Sequence, residues 1–162
     1  MKKITGGVLT PLYSPCDEND RFLEKEYEAH AERCLAGPVD GVYVCGGTGD
    51  GMLMGIDERK AACEIAVKVA KKYNKIVLVQ IGAGTMRDST ELAAHAASAG
   101  ADGISSVPLA GFKHEEQLEY YKAIVSAAGI QTVLYYMPGP GREFSLSQIL
   151  ETLSVPGVTG IK

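Results

Sequence analysis

Several residue patterns that mark common protein classes are absent from the 162-residue sequence. Only three histidines are present, and the four cysteines (Cys16, Cys34, Cys45 and Cys63) form no C-x-x-C pair, so the ligand spacing of zinc sites is missing. No block of basic residues occurs and the formal net charge is −4, which argues against nucleic acid as a partner. No apolar run approaches the ~18 residues of a membrane span, so we expect no membrane segment.

The N-terminus also lacks the features of a secretory signal. The stretch "MKKITGGVLTPLYSP" has two lysines but neither a long apolar core nor a cleavage site of small residues. Cysteines without a pairing pattern are typical of thiols kept reduced inside the cell. We therefore expect a cytoplasmic protein.

The sequence does contain a regular alternation of two hydrophobic patterns. Amphipathic helical patterns separate short apolar runs, and the repeat is close to the ~30 residues of a βα unit. Continuous apolar runs are typical of strands buried on both faces, as in parallel sheets. The runs are "GGVLTPL", "DGVYVCGG", "KIVLVQIGAG", "DGISSVP", "QTVLYYMP" and "GVTGIK".

Six strands separated by five helices fit two α/β folds, an open doubly wound sheet or most of a (β/α)8 barrel. A barrel needs ~250 residues, so this chain would supply only about six of its eight strands. No linker or low-complexity stretch suggests a second domain. The pattern alone does not choose between the two folds.

The loop "CGGTGDG" (residues 45–51) is a candidate anion site. Small residues let backbone N–H groups point at an anion, and Thr48 adds a hydroxyl donor. The loop is neither a P-loop, since no G-K-[ST] follows, nor a G-x-G-x-x-G motif, since Met52 stands at the third glycine position. The alternative interpretation is a tight turn between strand and helix.

Two further features follow predicted strands. Lys162 ends "GVTGIK", at the edge of the sheet where α/β barrels keep their chemistry. A lysine in an apolar cleft loses its proton more readily and can form a Schiff base with a ketone, although a surface lysine is the commoner case. Tyr135 and Tyr136 are adjacent, so their side chains point to opposite faces and only one can enter a given site.

The order of these features is more specific than any one of them. A Gly-rich loop with a threonine after strand two, Y-x-x-P after strand five and G-I-K at strand six resemble the dihydrodipicolinate synthase / N-acetylneuraminate lyase family of class I pyruvate-dependent aldolases. The resemblance extends from "GGVLTPL" to "GIK". It implies a (β/α)8 TIM barrel, with residues 1–162 as the N-terminal part of a single domain. It also implies a homotetramer that needs no metal or organic cofactor.

The resemblance implies roles for four residues. Lys162 resembles the nucleophile that forms an imine with pyruvate or another 2-oxo acid. Tyr135 resembles the phenol that relays protons to the imine and to the leaving oxygen. Thr48 and the amides of Gly47 and Thr48 resemble the cradle for the substrate carboxylate, and the "MPGPG" turn shapes the pocket of the second substrate.

Three positions depart from the family pattern. The loop usually offers two hydroxyl residues in tandem, but the first position here is Gly47. Pro140 stands where dihydrodipicolinate synthases place an arginine for the aldehyde's carboxylate, and Arg142 lies two residues further on. Those synthases also carry a tyrosine that completes the relay across a subunit contact, where this chain reads "LAGF".

These departures favour a Schiff-base-forming lyase for a sugar-derived 2-oxo acid, either an aldolase or a dehydratase. Such an enzyme would be N-acetylneuraminate lyase-like or keto-deoxy-sugar-acid aldolase-like. One alternative is a 4-hydroxy-tetrahydrodipicolinate (dihydrodipicolinate) synthase. An alternative of another class is a non-catalytic barrel relative that binds a 2-oxo acid, which a test for a reducible imine would distinguish.

Overall fold

A computed structural model describes residues 2–139 and 143–162. Strands and helices alternate along the whole chain. In order they are β1 (Leu9–Pro11), α1 (Glu24–Ala36), β2 (Gly41–Val44), α2 (Ile56–Tyr73), β3 (Ile76–Gln80), α3 (Met86–Ala99), β4 (Gly103–Ser106), α4 (His114–Ala128), β5 (Gln131–Leu134), α5 (Leu146–Leu153) and β6 (Val158–Ile161). A single 3₁₀ turn, Gly47–Gly49, lies between β2 and α2.

The strand order decides between the two predicted folds. All six strands pair in parallel in the order β1-β2-β3-β4-β5-β6. A doubly wound sheet reverses direction at a switch point, whereas a barrel adds each strand beside the previous one. The prediction of a partial (β/α)8 barrel is confirmed, and the doubly wound alternative is wrong.

The two faces of the sheet pack differently. The helices cover the outer face, where the side chains of Tyr27, Leu35 and Tyr120 are fully buried. A smaller apolar cluster lies on the inner face and consists of Tyr43, Leu78, Val133 and Tyr135, with Ile4, Leu9 and Val107 at its border. No helix in the described part of the chain combines the length and apolar character needed to cross a bilayer.

The N-terminal segment closes the end of the sheet where the strands begin. The Lys2 amide donates to Asp102 Oδ1 (2.6 Å) and the Ile4 amide donates to Gln131 Oε1 (3.2 Å). The Gln131 side-chain amide donates back to the Lys2 carbonyl (2.9 Å). Gly103 leaves room for this crossing, because a Cβ there would lie 2.8 Å from Ile4 Cδ1. The segment therefore forms a floor beneath the inner face.

Candidate active site

A cavity of about 670 Å³ lies against the inner face of the sheet. The N-terminal segment lines one end, and the residues that follow the strands line the other. All four residues singled out from the sequence line this cavity: Gly47, Thr48, Tyr135 and Lys162. They follow β2, β5 and β6, and the carboxyl ends of parallel strands meet at one edge of a sheet.

The backbone of Lys162 is hydrogen-bonded to β5, and its side-chain nitrogen contacts two aromatic rings. Its amide donates to the Leu134 carbonyl (2.8 Å), and its own carbonyl accepts from the Tyr136 amide (3.0 Å). These two bonds extend the ladder between β5 and β6 by one residue. The side-chain nitrogen lies 3.6 Å from the centroid of the Tyr135 ring and 4.9 Å from that of Tyr43.

The adjacent tyrosines Tyr135 and Tyr136 do point to opposite faces. Tyr135 is 8% exposed, and its ring packs edge-on against Tyr43 at 5.9 Å between centroids. Tyr136 packs against the helix-side core and stacks on Phe144 at 5.7 Å. The Tyr136 hydroxyl accepts from the Phe144 amide (3.0 Å) and donates to the Phe144 carbonyl (3.3 Å). Tyr136 thus holds the chain that leads into α5 and does not reach the cavity.

The glycine-rich loop makes a tight turn at the cavity wall, where Gly47 and Thr48 line the cavity. Gly49 and Gly51 donate to the Gly46 carbonyl (3.1 and 3.2 Å), and Asp50 donates to the Gly47 carbonyl (3.2 Å). The Gly47 and Thr48 amides precede these donors and take part in none of the three bonds. Both residues are exposed at the cavity wall, where two amides and the Thr48 hydroxyl can meet an anion.

Glycine is required at some positions of this loop and not at others. A Cβ at Gly51 would lie 2.0 Å from the Cys45 carbonyl oxygen, so no side chain fits there. Within the described part of the chain, and apart from the adjoining residues, a Cβ at Gly47 would meet just the Tyr135 hydroxyl, at the ordinary contact distance of 3.9 Å. The hydroxyl side chain that the family pattern has at position 47 would therefore lie beside the Tyr135 hydroxyl.

Sequence reasoning missed Tyr43 and Ser105 as members of the site. The Tyr43 hydroxyl shares a 2.7 Å hydrogen bond with Ser105 Oγ, and the two residues are 4% and 0% exposed. Burial raises the pKa of the Tyr43 phenol above its ordinary value, so the ring stays neutral at physiological pH. Side chains alternate between the two faces of a strand, and this alternation could have indicated both residues. Tyr43 pairs with Leu78 and Ser105 pairs with Val133, so both point to the inner face.

Arg59 is a third residue that the sequence did not reveal. It is 3% exposed and donates to the Gly82 carbonyl (2.9 Å), the Gln80 carbonyl (2.8 Å) and Gln80 Oε1 (3.1 Å). Burial lowers the pKa of the guanidinium, and the Cys45 thiol lies close enough to act on it electrostatically. Arg59 therefore ties α2 to the end of β3.

Two other features bear on the predicted chemistry. Within residues 2–139 and 143–162, no group of three or more histidine, cysteine, aspartate or glutamate side chains is placed to hold a metal ion. Pro140 and Arg142, on which part of the substrate argument depends, lie outside the described residues.

Comparison with known proteins places this chain in a protein family. The family model described as "Dihydrodipicolinate synthetase family" matches residues 4–162. The chain belongs to that family. Curated relatives include N-acetylneuraminate lyases from Escherichia coli strain SMS-3-5, 31% identical over 96% of this chain and 54% of the relative, and from Salmonella newport, 31% identical over 100% and 56%. The chain spans about half the length of these relatives.

Solved structures of the family have the same fold. The protein CdNal from Clostridium difficile, crystallised in complex with mannosamine, superposes with a TM-score of 0.89 at 27% identity, over 98% of this chain and 56% of that one. A dihydrodipicolinate synthase from Agrobacterium tumefaciens gives a TM-score of 0.88 at 27% identity, over 96% and 53%.

Proposed function

We propose that this protein forms an imine between Lys162 and the ketone carbon of pyruvate or a sugar-derived 2-oxo acid, and acts as a class I lyase. The observation that supports this most directly is that Lys162, Tyr135 and the Gly47–Thr48 amides line one cavity. Residues 1–162 then form the N-terminal part of a single TIM-barrel domain.

The cavity offers a partner for each end of a 2-oxo acid. Its carboxylate fits the amides of Gly47 and Thr48 and the Thr48 hydroxyl, because N–H and O–H donors at a turn favour an anion. Its ketone then lies toward Lys162, whose uncharged amine adds to C2 and expels the ketone oxygen as water. The neutral imine takes up one proton on nitrogen from the surrounding water, so the product is a protonated imine.

The protonated imine acts as an electron sink for bond cleavage. In an aldolase reaction the C3–C4 bond breaks while the C4 hydroxyl gives up its proton and becomes a carbonyl. Tyr135 relays that proton, because its hydroxyl oxygen accepts it while the phenol's own proton passes on to water. The resulting enamine is then protonated at C3, and hydrolysis returns pyruvate and the free lysine. In a dehydratase reaction the protonated imine instead draws electrons from a C3–H bond, whose proton passes to a base. The enamine that forms expels the C4 hydroxyl, which takes up a proton and leaves as water.

The comparisons favour a sugar-derived substrate over aspartate semialdehyde. The curated relatives cited above are N-acetylneuraminate lyases, and CdNal was crystallised with mannosamine. Pro140 stands where dihydrodipicolinate synthases place their arginine. We expect faster cleavage of N-acetylneuraminate or a 2-keto-3-deoxy sugar acid than condensation of pyruvate with aspartate semialdehyde. Faster condensation would favour the synthase.

Borohydride trapping tests the imine itself. The full-length protein, incubated with pyruvate and borohydride, is expected to gain one reduced pyruvyl group on Lys162, located by peptide mapping. Lys3 provides the matched control because it also lines the cavity, at the opposite end. Lys3→Met should be labelled normally and Lys162→Met should not. An adduct on Lys3 would contradict the assignment of Lys162 as the nucleophile. No adduct at all would favour a non-catalytic relative.

We further propose a cytoplasmic homo-oligomer, a tetramer by family resemblance. Leu53, Leu146 and Tyr13 are 85%, 72% and 62% exposed, and large apolar side chains on a surface favour association. Light scattering of the purified protein, which reports molar mass directly, distinguishes a tetramer from a monomer.

A further inference from the structure

Two aromatic rings face the side-chain nitrogen of Lys162. The centroids of Tyr135 and Tyr43 lie 3.6 and 4.9 Å from the nitrogen, both within the ~6 Å range of cation–π attraction. The two rings meet edge to face, with 81° between their planes. The Lys162 nitrogen therefore lies beside two aromatic rings that also pack against each other.

Tyr43 is held so that it can present only its ring. Its hydroxyl is tied to Ser105 Oγ at 2.7 Å, and both residues are buried. The backbone of the glycine-rich loop closes over the ring, because a Cβ at Gly46 would lie 2.5 Å from Tyr43 Cε1. A phenol anchored at its hydroxyl and covered by the loop has little freedom to rotate away from Lys162.

The charge on the Lys162 nitrogen changes during the reaction proposed above. The attacking amine is uncharged, whereas the resting ammonium and the protonated imine are both cations. The imine nitrogen carries one N–H in place of three and is less strongly hydrated, so it gains more from an aromatic face than the ammonium does. A fixed, neutral aromatic face attracts the cation and has little effect on the uncharged amine. Interactions that are stronger in the charged state favour its formation.

We propose that the Tyr43 ring, positioned by Ser105, joins Tyr135 in a two-ring seat that stabilises the protonated imine on Lys162. This inference rests on the proposed function. It assigns to Tyr43 a role that depends on its ring, whereas the proton relay assigned to Tyr135 depends on a hydroxyl.

Replacement of residue 43 separates the ring from the hydroxyl. Tyr43→Phe keeps the ring, and the same site carrying pentafluorophenylalanine keeps the shape but removes the negative face of the ring. Tyr43→Phe keeps the ring and loses only the bond to Ser105, so it is the reference against which the fluorinated ring is compared. With the fluorinated ring, the pyruvate concentration for half-maximal borohydride trapping should rise about 5- to 30-fold.

A purely structural role is distinguished by a ligand that cannot form an imine. Lactate presents a carboxylate to the same cavity but has no ketone, so its inhibition constant against trapping should be the same in both variants. If the fluorinated ring leaves pyruvate trapping unchanged, or weakens lactate as much as pyruvate, the inference is overturned. The same holds if Tyr43→Phe loses as much as the fluorinated variant. If the parent protein traps no pyruvate, the proposed function fails and the inference with it.

Discussion

Gly47→Ser is the substitution for which the structure makes its sharpest prediction. It adds the hydroxyl that the family pattern places before Thr48 and this chain lacks. Among the described residues other than the adjoining Gly46 and Thr48, the Tyr135 hydroxyl alone lies within 4 Å of the added Cβ, at 3.9 Å. The serine oxygen, one bond further out, can therefore reach hydrogen-bond distance. Gly47 does not have a positive φ, so the backbone accepts a side chain without strain.

The expected gain follows from the strength of one hydrogen bond. A net contribution of about 0.5–1.5 kcal/mol, realised when Tyr135 moves its proton, corresponds to a rise in kcat of about 2- to 13-fold. Folding stability should rise slightly or stay the same, because replacing a glycine reduces the freedom of the unfolded chain. The change in rate is therefore not confounded with a loss of folded protein.

Steady-state cleavage of a sugar-derived 2-oxo acid measures this gain, with two matched controls. Gly47→Ala adds the Cβ without the hydroxyl. Gly84→Ser adds the same side chain at a site where, among residues 2–139 and 143–162 and apart from the adjoining residues, nothing lies within 4 Å of the new Cβ. Neither should raise kcat. A Gly47→Ser protein no faster than the parent, or an equal gain in Gly47→Ala, would refute the idea that a hydroxyl at position 47 assists Tyr135.

Three further outcomes are expected. Tyr135→Phe should keep the fold and lower turnover ~10²–10⁴-fold if the phenol relays protons, measured by steady-state kinetics. Tyr136→Phe should instead cost about 1–3 kcal/mol of stability in thermal melting, with little change in turnover, because the Phe144 backbone loses its partner. Burial raises the pKa of Cys45 to about 11 and of Cys63 to about 12. Both thiols stay protonated in the folded state while the unfolded chain ionises from ~8.5, so stability should be full below that pH and fall as pH rises toward 11. If urea titrations at alkaline pH show no loss of folding stability, the raised pKa values of Cys45 and Cys63 are contradicted.

Much of the site could be predicted because its residues follow strands directly. In a parallel sheet every strand ends at the same edge, so a residue that follows a strand is placed there whatever the rest of the packing. Gly47, Thr48, Tyr135 and Lys162 all belong to this class, and all four line the cavity. Their order along the chain was enough to predict that they meet.

Residues inside the strands could not be assigned in the same way. The Tyr43–Ser105 bond joins residues 62 positions apart, on strands that are not neighbours in the sheet. Which side chains meet across the inner face depends on curvature and register, which a local hydrophobic pattern does not encode. Arg59 was missed for a different reason, because arginines are almost never fully buried unless paired.

The first strand was predicted too long, again for a reason that the pattern does not contain. The apolar run "GGVLTPL" suggested a strand over its whole length, but β1 covers only Leu9–Pro11. Gly6 and Gly7 have φ angles of 140° and 125°, which other residues rarely adopt. Asp40 Oδ2 accepts from the Val8 amide (2.7 Å) and would lie only 2.7 Å from a Cβ at Gly7. The glycines thus turn the chain from the floor into the sheet.

The position of Lys162 in the cavity depends on an irregularity that a strict alternation would have excluded. Val158 and Lys162 are four residues apart, so a regular strand would point both to the same face. The structure instead pairs Thr132 with Val158 and Val133 with Gly160, leaving Thr159 as an extra residue. This bulge lets Val158 join the helix-side core while Gly160 lies opposite inward-facing Val133. Two residues later the same register pairs Lys162 with Tyr135, so the amine points into the cavity. A bulge beside a reactive residue is a common device for aiming its side chain, and here it aims the lysine on which the proposed chemistry depends.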